Sequence, residues 1–97
     1  MAPTLTATYQ SARRAPAGSE LLFLVRAADP EGGALMFSWR ADQGALAAPQ
    51  TSAEESSVRW TAPATPGVYE VEAAVVDGAG ARAVERFVIE TVAGGAP

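Results

Sequence analysis

The 97-residue sequence contains no cysteine, no histidine and no lysine. Without cysteine there is neither a disulfide framework nor a thiolate metal site. A domain at the small end of the self-sufficient range must then hold together by packing alone. Without histidine, the commonest general base and metal ligand is missing. All seven basic residues are arginine, none in a run longer than Arg13-Arg14, and the net charge is −4. That excludes the basic footprint on which nucleic-acid binding depends. No apolar stretch approaches the roughly 20 residues of a membrane-spanning helix. The start, Met1-Ala2-Pro3-Thr4, lacks a charged segment followed by an apolar core, so no signal peptide is read there.

Hydrophobic residues are plentiful, but many are alanine, so the core rests on a short set of larger side chains. The aromatics are Tyr9, Phe23, Phe37, Trp39, Trp60, Tyr69 and Phe87. Burying a large apolar side chain contributes about 1.5–3 kcal/mol, so a handful of these can carry a small domain. An Ala-, Gly- and Arg-rich chain without lysine points to a GC-rich, bacterial genome.

Taken in order, residues 4–10 alternate and are rich in β-branched side chains, as a strand is. Residues 11–19, with Pro16 and Gly18, read as a loop. Residues 20–28 are a second strand; their continuous apolar run would also suit a helix, but its shortness and the flanking Gly18 and Asp29-Pro30 decide for a strand. The glycine-rich loop Asp29-Pro30-Glu31-Gly32-Gly33 feeds a strand over 34–41, in which Leu35, Phe37 and Trp39 share one face. That strand is expected to end on a buried Trp39. A short edge strand near 45–48 precedes one over 56–61, with Val58 and Trp60 on one face. Pro63, Pro66 and Gly67 break the chain. A long strand over 68–76 places Tyr69, Val71, Ala73 and Val75 together. Asp77-Gly78-Ala79-Gly80 is the strongest hairpin signal, and residues 82–92 form the last strand, with Phe87 and Ile89 on one face. Seven strands separated by turn signals predict an all-β antiparallel sandwich. Residues 1–93 form a single domain, and 94–97 read as a linker or tail.

Three patterns coincide in order: Asp29-Pro30-Glu31-Gly32 before Leu35–Trp39; Trp60-Thr61-Ala62-Pro63 before Pro66-Gly67-Val68-Tyr69-Glu70-Val71; and Asp77-Gly78-Ala79-Gly80 closing the long strand. Over about residues 20–92 the chain resembles bacterial immunoglobulin-like domains of the PKD and cadherin-like kind. The resemblance implies an immunoglobulin-like (PKD-like) sandwich in which Trp39 packs between the sheets. It implies that Tyr69 fixes its preceding turn through its hydroxyl. Val71 then stands where an antibody domain has its second cysteine, opposed by Phe23 or Val25. Two departures make the match generic. Gly33-Ala34 replaces a later loop acid, and Trp39-Arg40-Ala41-Asp42-Gln43-Gly44 replaces a Trp-Asp-Phe-Gly-Asp-Gly run.

Chemistry has few candidates. Asp29, Glu31 and Asp77 are loop carboxylates and the weak calcium candidates. Calcium takes six to eight oxygen ligands, so the commoner role of such aspartates, bonding their own turns, is the expected one. Glu54-Glu55 is the sole adjacent acid pair, and strand neighbours point to opposite faces. Ser56 and Ser57 have no histidine or lysine to activate them, so no enzyme is read here and no catalytic or cofactor residue is assigned. Trp60 or Tyr9, if exposed, would stack on a sugar ring; alternation with Val58 instead predicts a core Trp60. Leu22, Leu24, Met36, Val76, Val84 and Val88 fall opposite the core faces and would mark a contact surface if they cluster.

The expected role is therefore a non-catalytic spacer or adhesion module of a larger exported bacterial protein, extracellular, cell-surface or periplasmic. Its partners would be neighbouring domains or another surface protein. A carbohydrate-binding accessory module with a glycan ligand, or a calcium-rigidified repeat, are the alternatives.

Overall fold

The computed structural model describes residues 3–29 and 32–93. Among the described residues nine strands follow in order: β1 (Thr4–Gln10), β2 (Arg14–Pro16), β3 (Glu20–Ala28), β4 (Leu35–Ala41), β5 (Ala45–Leu46), β6 (Gln50–Thr51), β7 (Glu55–Thr61), β8 (Gly67–Asp77) and β9 (Arg82–Val92). There is no helix among the described residues. One sheet runs β1-β3-β7-β5, with β6 also on β7; the other runs β2-β9-β8-β4. All pairings are antiparallel except β2 with β9. The two sheets pack face to face as a β-sandwich.

The six long strands lie within a residue of where alternation and turn residues predict them. The differences are at the edges. Arg14-Ala15-Pro16 is a strand, not loop: Pro16 is its last residue and sits on a sheet edge, where its missing N–H costs no ladder bond. The expected edge strand near 45–48 is shorter, β5 over Ala45–Leu46, and a second two-residue strand, β6, follows Pro49. Seven expected strands thus become nine.

Strand alternation fills the core. Leu21, Phe23, Val25 and Ala27 of β3, Ser56, Val58 and Trp60 of β7, Tyr69, Val71, Ala73 and Val75 of β8, and Phe87 and Ile89 of β9 all point inward and are buried. Phe23 and Val25 share this core with Val71. Ring contacts cross between the sheets: Phe23 with Phe87 at 5.0 Å and Trp60 with Tyr69 at 6.0 Å between centroids. The Tyr69 hydroxyl donates to the Thr65 carbonyl four residues back, which fixes the β7–β8 connection.

The tryptophan at the centre is Trp60, not Trp39. Trp60 is fully enclosed, and its Nε1–H donates to the Gln43 carbonyl at 2.8 Å. Trp39 is half-buried, stacked on Phe87 at 6.2 Å. The cause is topological. β4 is the outermost strand of its sheet, so among the described residues no strand of that sheet pairs beyond it, whereas β7 is an interior strand of the other sheet.

The strand order also sets the path of the chain. Thr4 pairs with Ala28 at the pole that carries Asp29, the start of β4 at Leu35, and the 52–54 and 78–81 connections. Val92 pairs with Pro16 at the opposite pole, beside the 17–19 and 62–66 connections, where Gly18 N donates to Pro63 O. The body is long and thin, 53 × 19 × 18 Å.

Candidate functional site

Asp29 and Asp77 both lie at the first pole, and each serves its own turn. Asp29 Oδ2 accepts the Gly33 N–H at 2.8 Å, while Asp29 O accepts the Gly32 N–H at 2.9 Å. Gly32 takes a φ of +74°, a conformation glycine adopts without a Cβ penalty. Asp77 is buried, and its Oδ1 accepts the N–H groups of both Ala79 and Ala81 at 2.9 Å. This is the Asx pattern that closes the β8–β9 hairpin. Glu31 lies outside the described residues. No group of three or more acidic, histidine or cysteine side chains that could hold a metal occurs among the described residues. An open depression beside these turns is lined by Ala28, Asp29, Leu35, Ala53 and Glu54 among others.

The remaining polar candidates are structural. Glu55 lies 3.5 Å from Arg26, its cross-strand partner. Ser56 is fully buried between the sheets, where its Oγ accepts Trp39 Nε1–H at 2.9 Å and shares a hydrogen bond with Thr51 Oγ1 at 2.8 Å. Ser56 thus ties β4, β6 and β7 together. In the sequence this serine reads only as a nucleophile lacking a base. Its alternation with Val58 and Trp60 puts a polar group on the core face, where a buried hydroxyl needs a partner, and that is the signal that finds it. Being fully enclosed, Trp60 offers no face to a sugar ring. Tyr9 is 51% exposed and is the aromatic at the surface.

The apolar residues opposite the core divide between the two outer faces. On the first sheet, Tyr9 pairs with Leu24, and Leu22 is the next outward residue of β3; both leucines are half-buried. On the second sheet, the rows across β4, β8 and β9 read Met36–Val76–Arg82, Ser38–Ala74–Val84 and Arg40–Glu72–Arg86. Met36 is 73% exposed and Val68 69%. In the charged row, Glu72 lies 3.8 Å from Arg40 and accepts from Arg86 Nε at 3.1 Å, between two cations. Val68 and Val88 lie beyond this row, separated by it from the Met36 end. The outer surface is therefore a small apolar patch, a charged belt and scattered valines.

No protein-family model matches the sequence, and no curated protein matches it.

Proposed function

We propose that the chain is an immunoglobulin-like module of the PKD or cadherin-like type, acting as a non-catalytic spacer or protein-interaction module of a larger exported bacterial protein. The observation that carries this reading is the path of the chain. It enters a long, thin sandwich at one pole, where Thr4 pairs with Ala28, and leaves at the other, where Val92 pairs with Pro16. A domain so threaded adds its full length to a chain of domains, whereas one with both ends at a single pole adds little.

Three features support the immunoglobulin-like part. The strand order is β1-β3-β7-β5 over β2-β9-β8-β4, with β2 alone parallel to its neighbour. Tyr69 bonds back to Thr65 at the corner before β8. Phe23, Val25 and Val71 share one buried core, in keeping with an apolar contact standing in for the antibody disulfide. The non-catalytic part is supported by the roles of the polar side chains, since Asp29, Asp77 and Ser56 are each engaged in holding the fold.

The test is the gene on both sides of this segment. Further folded domains on both flanks, in an exported product, are the expected result. A gene encoding this domain alone would refute the spacer role.

A further inference from the structure

We infer that the free edge of β4 is a pairing site for a second copy of this chain, joining two sandwiches through antiparallel β4 strands across a two-fold axis. Among the described residues the sandwich has four lateral edges, and three are blunted. β2 is three residues long and ends in Pro16. β5 and β6 are two residues each, with Pro49 between them. β1 shifts register between Leu5 and Ala7, the irregularity of a bulge. Short strands, prolines and bulges are the devices that keep sheet edges from recruiting another strand. β4 has none of them. It runs seven residues, Leu35 to Ala41, in unbroken register with β8, and holds neither proline nor glycine.

The hydrogen-bond phase of that edge follows from its ends. Asp42 N donates to Glu70 O, so Asp42 and the residues at even steps from it, Arg40, Ser38 and Met36, spend their backbone groups on β8. Asp77 N points the other way, to Ala81 O, in agreement with Leu35 opposite it lying out of phase. The N–H and C=O groups of Leu35, Phe37, Trp39 and Ala41 therefore face outward, in a row that a partner strand can take up.

A second β4 fits this row better than an arbitrary peptide, because the row is self-complementary. Centring the two-fold axis on Ser38 pairs Leu35 with Ala41 and Phe37 with Trp39, each in both directions. All four outward residues of each copy are then used, giving about eight inter-strand hydrogen bonds. On the inner face, each half-buried Trp39 and Phe37 gains an aromatic cross-strand neighbour. On the outer face, Met36, the most exposed apolar side chain on β4, lies beside the arginine stem at position 40 of the other copy. Ser38 meets itself at the axis, so no like charges oppose one another. Shifting the axis by one residue in either direction leaves an outward pair unused.

The chain's lack of cysteine makes the register directly testable. In a non-hydrogen-bonded antiparallel pair the Cα atoms are about 4.5 Å apart, within disulfide reach. Under mild oxidation, Ser38→Cys is expected to form a covalent dimer about ten-fold faster than Val68→Cys, whose site is also exposed but lies away from the edge. Met36→Cys and Arg40→Cys are each expected to stay monomeric alone and to cross-link when mixed, since like positions lie about 13 Å apart. Sedimentation of the unaltered protein should show a concentration-dependent mass reaching twice the monomer, abolished by Ser38→Glu, which sets two carboxylates face to face. Equal cross-linking at positions 38 and 68 would overturn the site. Self-cross-linking of Met36→Cys would overturn the register. A strictly monomeric unaltered protein would overturn the pairing while leaving the spacer role standing.

Discussion

The indole N–H of Trp39 reaches across the sandwich to the hydroxyl of Ser56, at 2.9 Å. It is a side-chain bond between the two sheets, made where β4 overlies the β5–β6 edge. Ser56 is fully buried and Trp39 half-buried, so the bond couples an enclosed hydroxyl to a side chain on the rim. A hydrogen bond in this setting contributes about 1 kcal/mol, and deleting one partner strands the other. Ser56→Ala is therefore expected to lower the unfolding free energy by about 1–2 kcal/mol in urea titration. In a double-mutant cycle with Trp39→Phe, a coupling of about 1 kcal/mol is expected. Strictly additive losses would show that the bond holds nothing together.

Gly44, just before β5, has φ +87°, and a Cβ there would lie 2.5 Å from Trp60 Nε1 and 2.6 Å from the Thr61 carbonyl. Both neighbours are fixed, one by its enclosed ring and one by the backbone. Gly44→Ala combines a left-handed backbone with a collision against the central tryptophan, and a loss of about 2–4 kcal/mol is expected. Gly78→Ala, where a Cβ meets open space, is the neutral comparison. Thermal unfolding of the two variants side by side separates the effects, and equal midpoints would contradict the packing described around Trp60.

Asp77 accepts from two backbone N–H groups through one carboxylate oxygen. An amide oxygen can accept the same two bonds, so Asp77→Asn is expected to change stability by less than about 0.5 kcal/mol. Asp77→Ala is expected to cost about 2 kcal/mol, because two donors at the hairpin lose their acceptor. With Asp29 and Asp77 engaged in their turns, millimolar calcium and EDTA are expected to leave the melting temperature of the unaltered protein the same. A rise with calcium that Asp77→Asn removes would instead make this pole a metal site.

What was legible in the sequence was periodicity. Phe23 and Val25, Val58 and Trp60, and the run from Tyr69 to Val75 each alternate, and an alternating strand has one face to bury. Alternation does not say which strand lies at an edge. Trp39 obeys the same pattern as Trp60, yet one is half-buried and the other fully enclosed, because β4 ends its sheet and β7 does not. Strand order is settled by contacts between residues far apart in the chain, which local patterns do not carry. The structural bond of Ser56 is hidden from local patterns for a related reason: its partner, Trp39, is 17 residues away. The hairpin at Asp77–Ala81 was legible because its bonds span only a few residues.

The central claim is that the chain threads the sandwich from pole to pole. It is tested most directly by a distance between its two ends in solution. Spin labels placed on Thr6→Cys and Ala93→Cys, in a chain with no other cysteine, report that separation by dipolar spectroscopy. An axial separation of about 30 Å is expected from the length of β9 at the rise of an extended strand. A narrow distribution below about 20 Å would place both ends at one pole, and would contradict the threading on which the spacer role rests.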